Sequence, residues 1–441
     1  MTYDDAIAFW YGRINYEVRA ATPHDLKLER MRALLPHLGN PHERVRTIHV
    51  TGTKGKGSTA AMIAASLQAA GYRVGLFTSP HLTCVEERIQ VNGVPISRDE
   101  LTAEVERLAE VMPLLERGPW TPPTFFEMST AIGYSHFLHR RVEFAVVEVG
   151  LGGRFDSTNI CEPVVSVITS VGLDHTAQLG NTLEEIAHQK AGIIKRGVPV
   201  VCGVTQPGPR AVIEREAAKM GVRVVQLGRD FEYDYRVDGP DGRPVASIAT
   251  PRVTYPKLSL RLLGEHQASN AAIALTVLDE LVRVGVPISE PAVRRGLAEV
   301  RWPARIEVVR TAPLVVLDTA HNVPSVQALV ATLGSITRGV GKKAVVFGVS
   351  NDKQYEEMVR ILAGYFDVFH LTKYGNNPRS VPPEELAAVL KRIVPTSVYR
   401  IHPTASEAWE VARSEVTERD LICVTGSVFL AGELKSIVSS G

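Results

Sequence analysis

Residues 50–59 read V-T-G-T-K-G-K-G-S-T, between an apolar strand-like segment at 47–51 and an apolar helix-like segment at 59–70. A strand, a glycine loop and a helix N-terminus in that order form an anion site. Free N–H groups and the positive helix end face the anion, and glycine lets the backbone approach it. Lys56 supplies a mobile cation for outer phosphates, and Ser58 or Thr59 a hydroxyl. The run departs from the standard P-loop spacing: Val50 stands where glycine is expected, and Gly57 follows the lysine instead of Ser or Thr. Taken alone, the loop also reads as a glycine-rich turn with a solvated lysine.

The loop's surroundings imply an α/β fold. Strands are expected at 47–51, 73–78, 144–149, 164–169, 198–203 and 222–226. Helices are expected at 59–70, 98–111, 125–139, 183–195 and 210–218, after helical stretches at 4–16 and 26–38. Such alternation predicts a mostly parallel sheet covered on both faces. From 231 to 263 the period changes to strict alternation, with Asp241-Gly242 as a turn, which predicts antiparallel strands on the domain edge. Helices at 269–284 and 291–300 follow. A second alternation has strands at 306–310, 314–318, 343–347, 368–371, 398–401 and 421–425, and helices at 323–333, 355–362, 383–393 and 406–411. A chain of 441 residues exceeds one ordinary core. The expected domains are 1–301, with the P-loop at 51–59, and a smaller Rossmann-like α/β domain at 302–441.

A net charge of +1 gives no electrostatic case for a nucleic-acid or membrane-surface partner. Cys84, Cys161, Cys202 and Cys423 are scattered, without a C-x-x-C pair, so buried thiols in a reducing cytoplasm are expected. The acidic start M-T-Y-D-D lacks signal-peptide features, and no apolar run could span a bilayer.

Polar clusters stand at several expected strand ends, where open α/β sheets collect ligands. They are Thr78-Ser79-Pro80-His81, Glu148 and His175. A hydroxyl, a carboxylate and an imidazole beside a phosphate loop could hold Mg²⁺, which takes oxygen ligands and keeps waters and substrate phosphates. Histidine is an unusual magnesium ligand, so His175 taken alone reads more readily as a hydrogen-bonded structural residue, and Glu148 alone reads equally as a buried ion-pair partner. Lys190 reads as a solvated helix lysine. The run 264–270, ending in Asn270, reads as a helix start whose polar residues are caps or ligand contacts. Arg305, the run Asp318-Thr-Ala-His321-Asn-Val-Pro324 and Thr425-Gly-Ser427 complete the set.

These stretches in this order resemble the folylpolyglutamate synthase/dihydrofolate synthase branch of the Mur ligase superfamily. The matching runs are T-G-T-K-G-K-G-S (51–58), T-S-P-H-L (78–82), E-R-I-Q-V-N-G (87–93), T-F-F-E (124–127) and E-V-G-L-G-G-R-F-D-S-T-N (148–159). They continue with L-D-H-T-x-x-L-G (173–180), K-A-G-I-I-K (190–195), G-x-H-Q-x-x-N (264–270), R-W-P-A-R-I-E (301–307), D-T-A-H-N (318–322) and V-T-G-S (424–427).

The resemblance implies ATP-dependent ligation of L-glutamate to the carboxylate of dihydropteroate or a reduced folate through an acyl phosphate, by a monomer. It implies that Gly52, Thr53, Gly55, Lys56, Gly57 and Ser58 cradle ATP phosphates, with Asn270, Arg305 and Asp318 as further ATP contacts. Ser79, Glu148 and His175 become magnesium ligands. Lys190 becomes a carbamylated (N6-carboxylated) lysine serving a second Mg²⁺, beside Lys56 and His321 as catalytic groups; a monovalent cation is also allowed. The loop Pro123-Thr124-Phe125, the stretch Phe155-Asp156-Ser157 and the segment near Leu26-Lys27-Leu28 form the pterin side, and Ser427 the glutamate or folate-tail side.

The sequence departs from the family pattern at Lys54 (commonly Asn), Ser157 (commonly Ala), Ala304 (commonly Gly) and D-T-A-H-N-V (commonly D-G-A-H-N-P). A Mur ligase acting on a UDP-sugar peptide is the nearest rival. It would carry a nucleotide-sugar domain ahead of the loop, where about 50 residues stand here. An inactive ATP-binding paralogue would lack Lys56, Glu148, His175 or Lys190, and all four are present.

Overall fold

The structure, a computed structural model, describes residues 1–15, 27–116, 122–238, 243–375 and 377–440. Of the expectations above, Tyr16, Leu26 and the Asp241-Gly242 turn lie outside these residues. The chain forms two compact units. One comprises Met1–Asp234, Ala246–Ser259 and Ala268–Val300, the other Tyr235–Val245, Leu260–Gln267 and Arg301–Gly441.

The first unit is built on eight strands: β1 (Arg46–Thr51), β2 (Val74–Phe77), β3 (Ile89–Val91), β4 (Val94–Pro95), β5 (Phe144–Glu148), β6 (Pro163–Ile168), β7 (Val200–Cys202) and β8 (Val224–Gln226). Their order is β4-β3-β2-β5-β1-β6-β7-β8. β1 pairs in parallel with β5 on one side and β6 on the other. All but the first of its residues are buried, as a strand covered on both faces requires. After β1 the chain goes to β2 on the β5 side, whereas β6 to β8 lie on the other. The end of β1 is therefore a switch point, where a crevice opens beyond the strand ends.

The pairing of β3 with β4 is antiparallel and was not expected. Asn92 and Gly93 between them take left-handed φ values of 50° and 75°, as a two-residue hairpin turn demands. The alternating segment forms β9 (Glu232–Asp238), β10 (Arg243–Ala249) and β11 (Thr254–Ser259) in a sheet of their own, ordered β11-β10-β9.

The helix expected at 183–195 is shorter. It runs Leu183–Lys190 and gives way to a 3-10 turn at Ala191–Ile193. A Cβ on Gly192 would stand 2.4 Å from the Arg154 Cα, so the chain turns here against the loop after β5. Among the cysteines, Cys161, Cys202 and Cys423 are buried, but Cys84 is exposed, which corrects the expectation of uniformly buried thiols.

The second unit carries β12 (Glu307–Thr311), β13 (Leu314–Leu317), β14 (Lys343–Phe347), β15 (Val368–Leu371), β16 (Val398–Ile401) and β17 (Leu421–Thr425), ordered β12-β13-β17-β14-β15-β16. Only β12 runs antiparallel to its neighbour. The carboxyl ends of β13 and β17, which carry Asp318 and Thr425, are thus adjacent. Among the described residues no helix is long and apolar enough to cross a membrane.

Candidate active site

The phosphate loop leaves β1 at Thr51 and enters the helix Lys56–Ala69 through Gly55, whose φ of 85° is left-handed. A Cβ at Gly55 would lie 2.3 Å from Asn270 Oδ1, so only glycine allows the helix Glu265–Arg283 to bring Asn270 against the loop. The segment after β6 clamps the loop. The Thr53 N–H donates to Ser170 O at 2.9 Å, and the Lys54 N–H to Ser170 Oγ at 2.8 Å. The hydroxyls of Thr169 and Ser170 both donate to Lys54 O, at 2.6 and 2.9 Å. The loop is therefore pre-organised, and its helix end presents N–H groups to an anion. The buried Thr59 hydroxyl, one residue past Ser58, has no hydrogen-bond partner.

Glu148 ends β5 beside this loop and is 5% exposed. Its Oε1 lies 3.9 Å from Lys56 Nζ, and its Oε2 accepts from the Ser79 N–H at 3.2 Å. Lys56, Ser79 and Glu148 are thus one group. His175 caps the short helix Thr176–Leu179 in a left-handed conformation, φ 49°, with Nε2 3.8 Å from Asp174 Oδ1. It lies beyond the end of β6 (Ile168), at the start of that helix, and is exposed. Among the described residues no three Asp, Glu, His or Cys side chains form a metal cage.

Lys190 overturns the reading of a solvated helix lysine. It is the last residue of its helix and 3% exposed, and its carbonyl packs on Gly153. Burial, and then the positive charge of Lys56, pull its pKa down to about 7. A buried amine whose pKa is drawn down this way is a candidate functional group. Asp174 opposes that shift, and it also pairs with Lys54 at 3.1 Å. The departure at Lys54 therefore comes with a counter-charge. Asp174 had not been singled out, although it precedes His175 in a quoted run.

Among the residues expected to meet a pterin, Asp156 is 5% exposed and caps the 3-10 helix Ser157–Ile160. Ser157 Oγ, at another departure, lies 2.6 Å from Thr130 Oγ1. Phe155 is exposed and lines a cavity of about 580 Å³ with Lys27, Leu28, Arg32, Arg154 and Lys195. Phe125 is a correction. Its ring has no exposed surface and stacks on Trp10 at a centroid distance of 5.1 Å, so it is core and presents no face to a ligand. Thr124 caps the helix Phe125–His139 in a capping box with Glu127.

In the second unit, Asp318 ends β13 and is 6% exposed. Its Oδ2 accepts from the Ile306 N–H at 3.0 Å, and its Oδ1 from the Ala320 N–H at 2.7 Å and the Thr425 hydroxyl at 3.3 Å. Burial raises its pKa, which these hydrogen bonds and Arg305 oppose. Arg305 also bonds the Thr319 hydroxyl, the side chain that the departure from D-G-A-H-N to D-T-A-H-N introduces. Ala304 and Ile306, on either side of Arg305, both take left-handed φ values, 54° and 49°. Strain of this kind concentrates where a side chain must be presented. His321 Nδ1 lies 2.9 Å from Thr319 O. Ser427 is 3% exposed, and its hydroxyl accepts from the Phe429 N–H, so it opens the helix Val428–Ser440.

A phosphate loop at a sheet switch point, with a lysine-paired buried carboxylate beside it, defines the class as a phosphate-loop α/β enzyme. Residues 50–278 match the Mur ligase middle domain, and residues 304–428 match the Mur ligase glutamate ligase domain. The dihydrofolate synthase/folylpolyglutamate synthase of Bacillus subtilis is 36% identical over 98% of both chains. The solved structure of Mycobacterium tuberculosis folylpolyglutamate synthase complexed with ADP is similar at TM-score 0.87 and 32% identity, covering 100% of this chain and 98% of that one. That of Escherichia coli FolC in complex with DHPP and ADP has TM-score 0.86 and 27% identity, covering 100% and 98%. The chain belongs to the Mur ligase family, in its folylpolyglutamate synthase/dihydrofolate synthase branch, and is an ATP-dependent ligase.

Proposed function

We propose that this enzyme joins L-glutamate to the carboxylate of dihydropteroate, of reduced folates, or of both. The reading is carried by the group of Lys56, Glu148 and Lys190 around a pre-formed phosphate loop, together with the names of the relatives above. The substrate carboxylate attacks the γ-phosphorus of ATP, giving an acyl phosphate and ADP. The glutamate amine then attacks the acyl carbon and loses a proton, and phosphate leaves.

The protein's share is positioning and charge balance. The loop amides of 52–58 and the Lys56 ammonium hold the phosphates and offset charge that builds on them. Asn270 sits against the loop, and Arg305 and Asp318 contact the nucleotide. His321 assists as a catalytic group, and Ser427 lies on the glutamate side. Ser79, Glu148 and His175 would hold Mg²⁺, which would neutralise phosphate charge. Asp156, Phe155, Ser157 and the Thr124 backbone serve the pterin.

Lys190 has the property that carbamylation needs. A neutral amine adds to CO₂, forming an N–C bond and releasing one proton, and the resulting carbamate is an anion in place of a cation. It would serve a second Mg²⁺. The enzyme acts as a monomer in the cytoplasm; its two units are not the simple 1–301 and 302–441 division, because Tyr235–Val245 and Leu260–Gln267 belong with the second.

The test is incubation with Mg-ATP and labelled glutamate, offering dihydropteroate and tetrahydrofolate separately. Phosphate release that needs glutamate and one of the pterins supports the reading. Release independent of both, or none under any pairing, contradicts it.

A further inference from the structure

His49 lies in the middle of β1, has no exposed surface, and has no part in the chemistry above. Its Nε2 is 2.8 Å from the hydroxyl of Thr158, which is also fully buried. That hydroxyl makes a short hydrogen bond to Asp156 Oδ1. Three elements meet here: the strand that ends in the phosphate loop, the 3-10 helix Ser157–Ile160, and the loop carrying Asp156.

The direction of each hydrogen in this chain follows from its members. Asp156 Oδ1 accepts from the Thr158 N–H at 3.1 Å and Oδ2 from the Leu151 N–H at 2.8 Å, with the Gly150 N–H adding a further bond. Every one of these backbone groups donates, so the side chain of Asp156 acts as an acceptor throughout. A threonine hydroxyl carries one hydrogen. If Thr158 donates it to Asp156, its oxygen must accept from His49. His49 therefore carries its hydrogen on Nε2, and Nδ1 is the bare nitrogen; Nδ1 is buried without a partner. Burial, and next the charge of Lys195, push the His49 pKa down to about 3, so the ring stays neutral at working pH.

We propose that His49 is a positioning residue: through Thr158 it fixes the orientation of the Asp156 carboxylate for the aminopyrimidinone edge of the pterin. Burial alone raises the Asp156 pKa and favours a neutral acid. A neutral acid would present a hydroxyl that rotates. The relay sets a hydroxyl donor beside the backbone N–H donors of Asp156, which favours the ionised carboxylate and fixes its plane where it would face the pterin. The same relay ties that carboxylate to the strand whose next residues form the phosphate loop, so both substrates are registered against β1. The inference rests on the reading of Asp156 as a pterin contact.

The test is steady-state kinetics of the full-length enzyme with four variants: Thr158→Val, His49→Ala, His49→Gln and Asp156→Asn. A hydrogen bond to a charged group corresponds to roughly a tenfold or larger change in binding. Thr158→Val and His49→Ala should each raise the dihydropteroate KM about tenfold, with the KM for ATP and for glutamate changed less than about twofold. His49→Gln, whose amide can donate from the position of Nε2, should recover most of that loss. Thr158→Val is near-isosteric, so it decides the matter if His49→Ala does not fold. If Asp156→Asn raises the dihydropteroate KM while Thr158→Val leaves it unchanged, the relay is only structural and the proposal is overturned. If Asp156→Asn itself leaves that KM unchanged, the pterin-side reading fails and the proposal falls with it.

Discussion

Lys56 Nζ stands 3.9 Å from Oε1 of Glu148, joining the first residue of the phosphate-loop helix to the last residue of the neighbouring strand. Glu148 is almost wholly buried, and a buried carboxylate is costly without a cation. Lys56 supplies such a cation at this distance.

Lys56→Ala should lower kcat/KM for ATP by about 100-fold or more, the usual scale for losing a group aimed at developing charge. Circular dichroism should show the fold retained. Turnover within about threefold of the parent would remove Lys56 from the site.

Gly55→Ala tests the loop's geometry. Its left-handed φ costs a residue with a Cβ about 1–2 kcal/mol, and that Cβ would meet Asn270 Oδ1 at 2.3 Å. Urea unfolding should show a loss of at least about 1 kcal/mol, with nucleotide affinity falling in parallel.

Lys190 carries a pH signature. Its folded pKa, about 7, lies below the free-lysine value of 10.5. Between those values the unfolded chain binds more protons, so this group makes stability rise with pH from about 7 to 10.5 and adds no slope below 7. Lys190→Met removes the penalty. In CO₂-free buffer at pH 7 its melting temperature should exceed the parent's by several degrees, while its activity is nearly lost. Lys190→Ala should regain part of its activity with added short carboxylates. Full activity of either variant would make Lys190 a packing residue.

Lys54→Asn addresses a departure from the family pattern. The Lys54–Asp174 pair is 37% and 22% exposed, a setting in which ion pairs contribute little. Chemical denaturation should show a change below about 1 kcal/mol. Because Asp174 also opposes the Lys190 shift, freeing it from Lys54 should move the pH dependence of activity upward. An unchanged profile would uncouple Lys54 from the site.

Much of this was legible in local pattern. The phosphate loop, the helix Phe125–His139 and strands β14 to β17 match their expected bounds closely, because each follows from a short apolar run and its flanking breakers. The β3–β4 hairpin is marked locally by Asn92-Gly93, a strong turn signal, but its strands of three and two residues are too short for alternation to show. The solvated reading of Lys190 and the ligand-facing reading of Phe125 fail for a shared reason. Burial is set by segments far away in the chain, the loop 150–154 for the lysine and Trp10 for the phenylalanine, and no local periodicity encodes it. The same holds for His49, whose partner Thr158 is 109 positions away.

The most direct measurement follows oxygen. Dihydropteroate, or whichever pterin supports turnover, is labelled with ¹⁸O in its carboxylate and incubated with Mg-ATP, L-glutamate and the enzyme, and the released phosphate is analysed by mass spectrometry. Activation through an acyl phosphate predicts that one labelled oxygen passes from the carboxylate to each phosphate. Phosphate that carries no label while the amide forms would contradict the account.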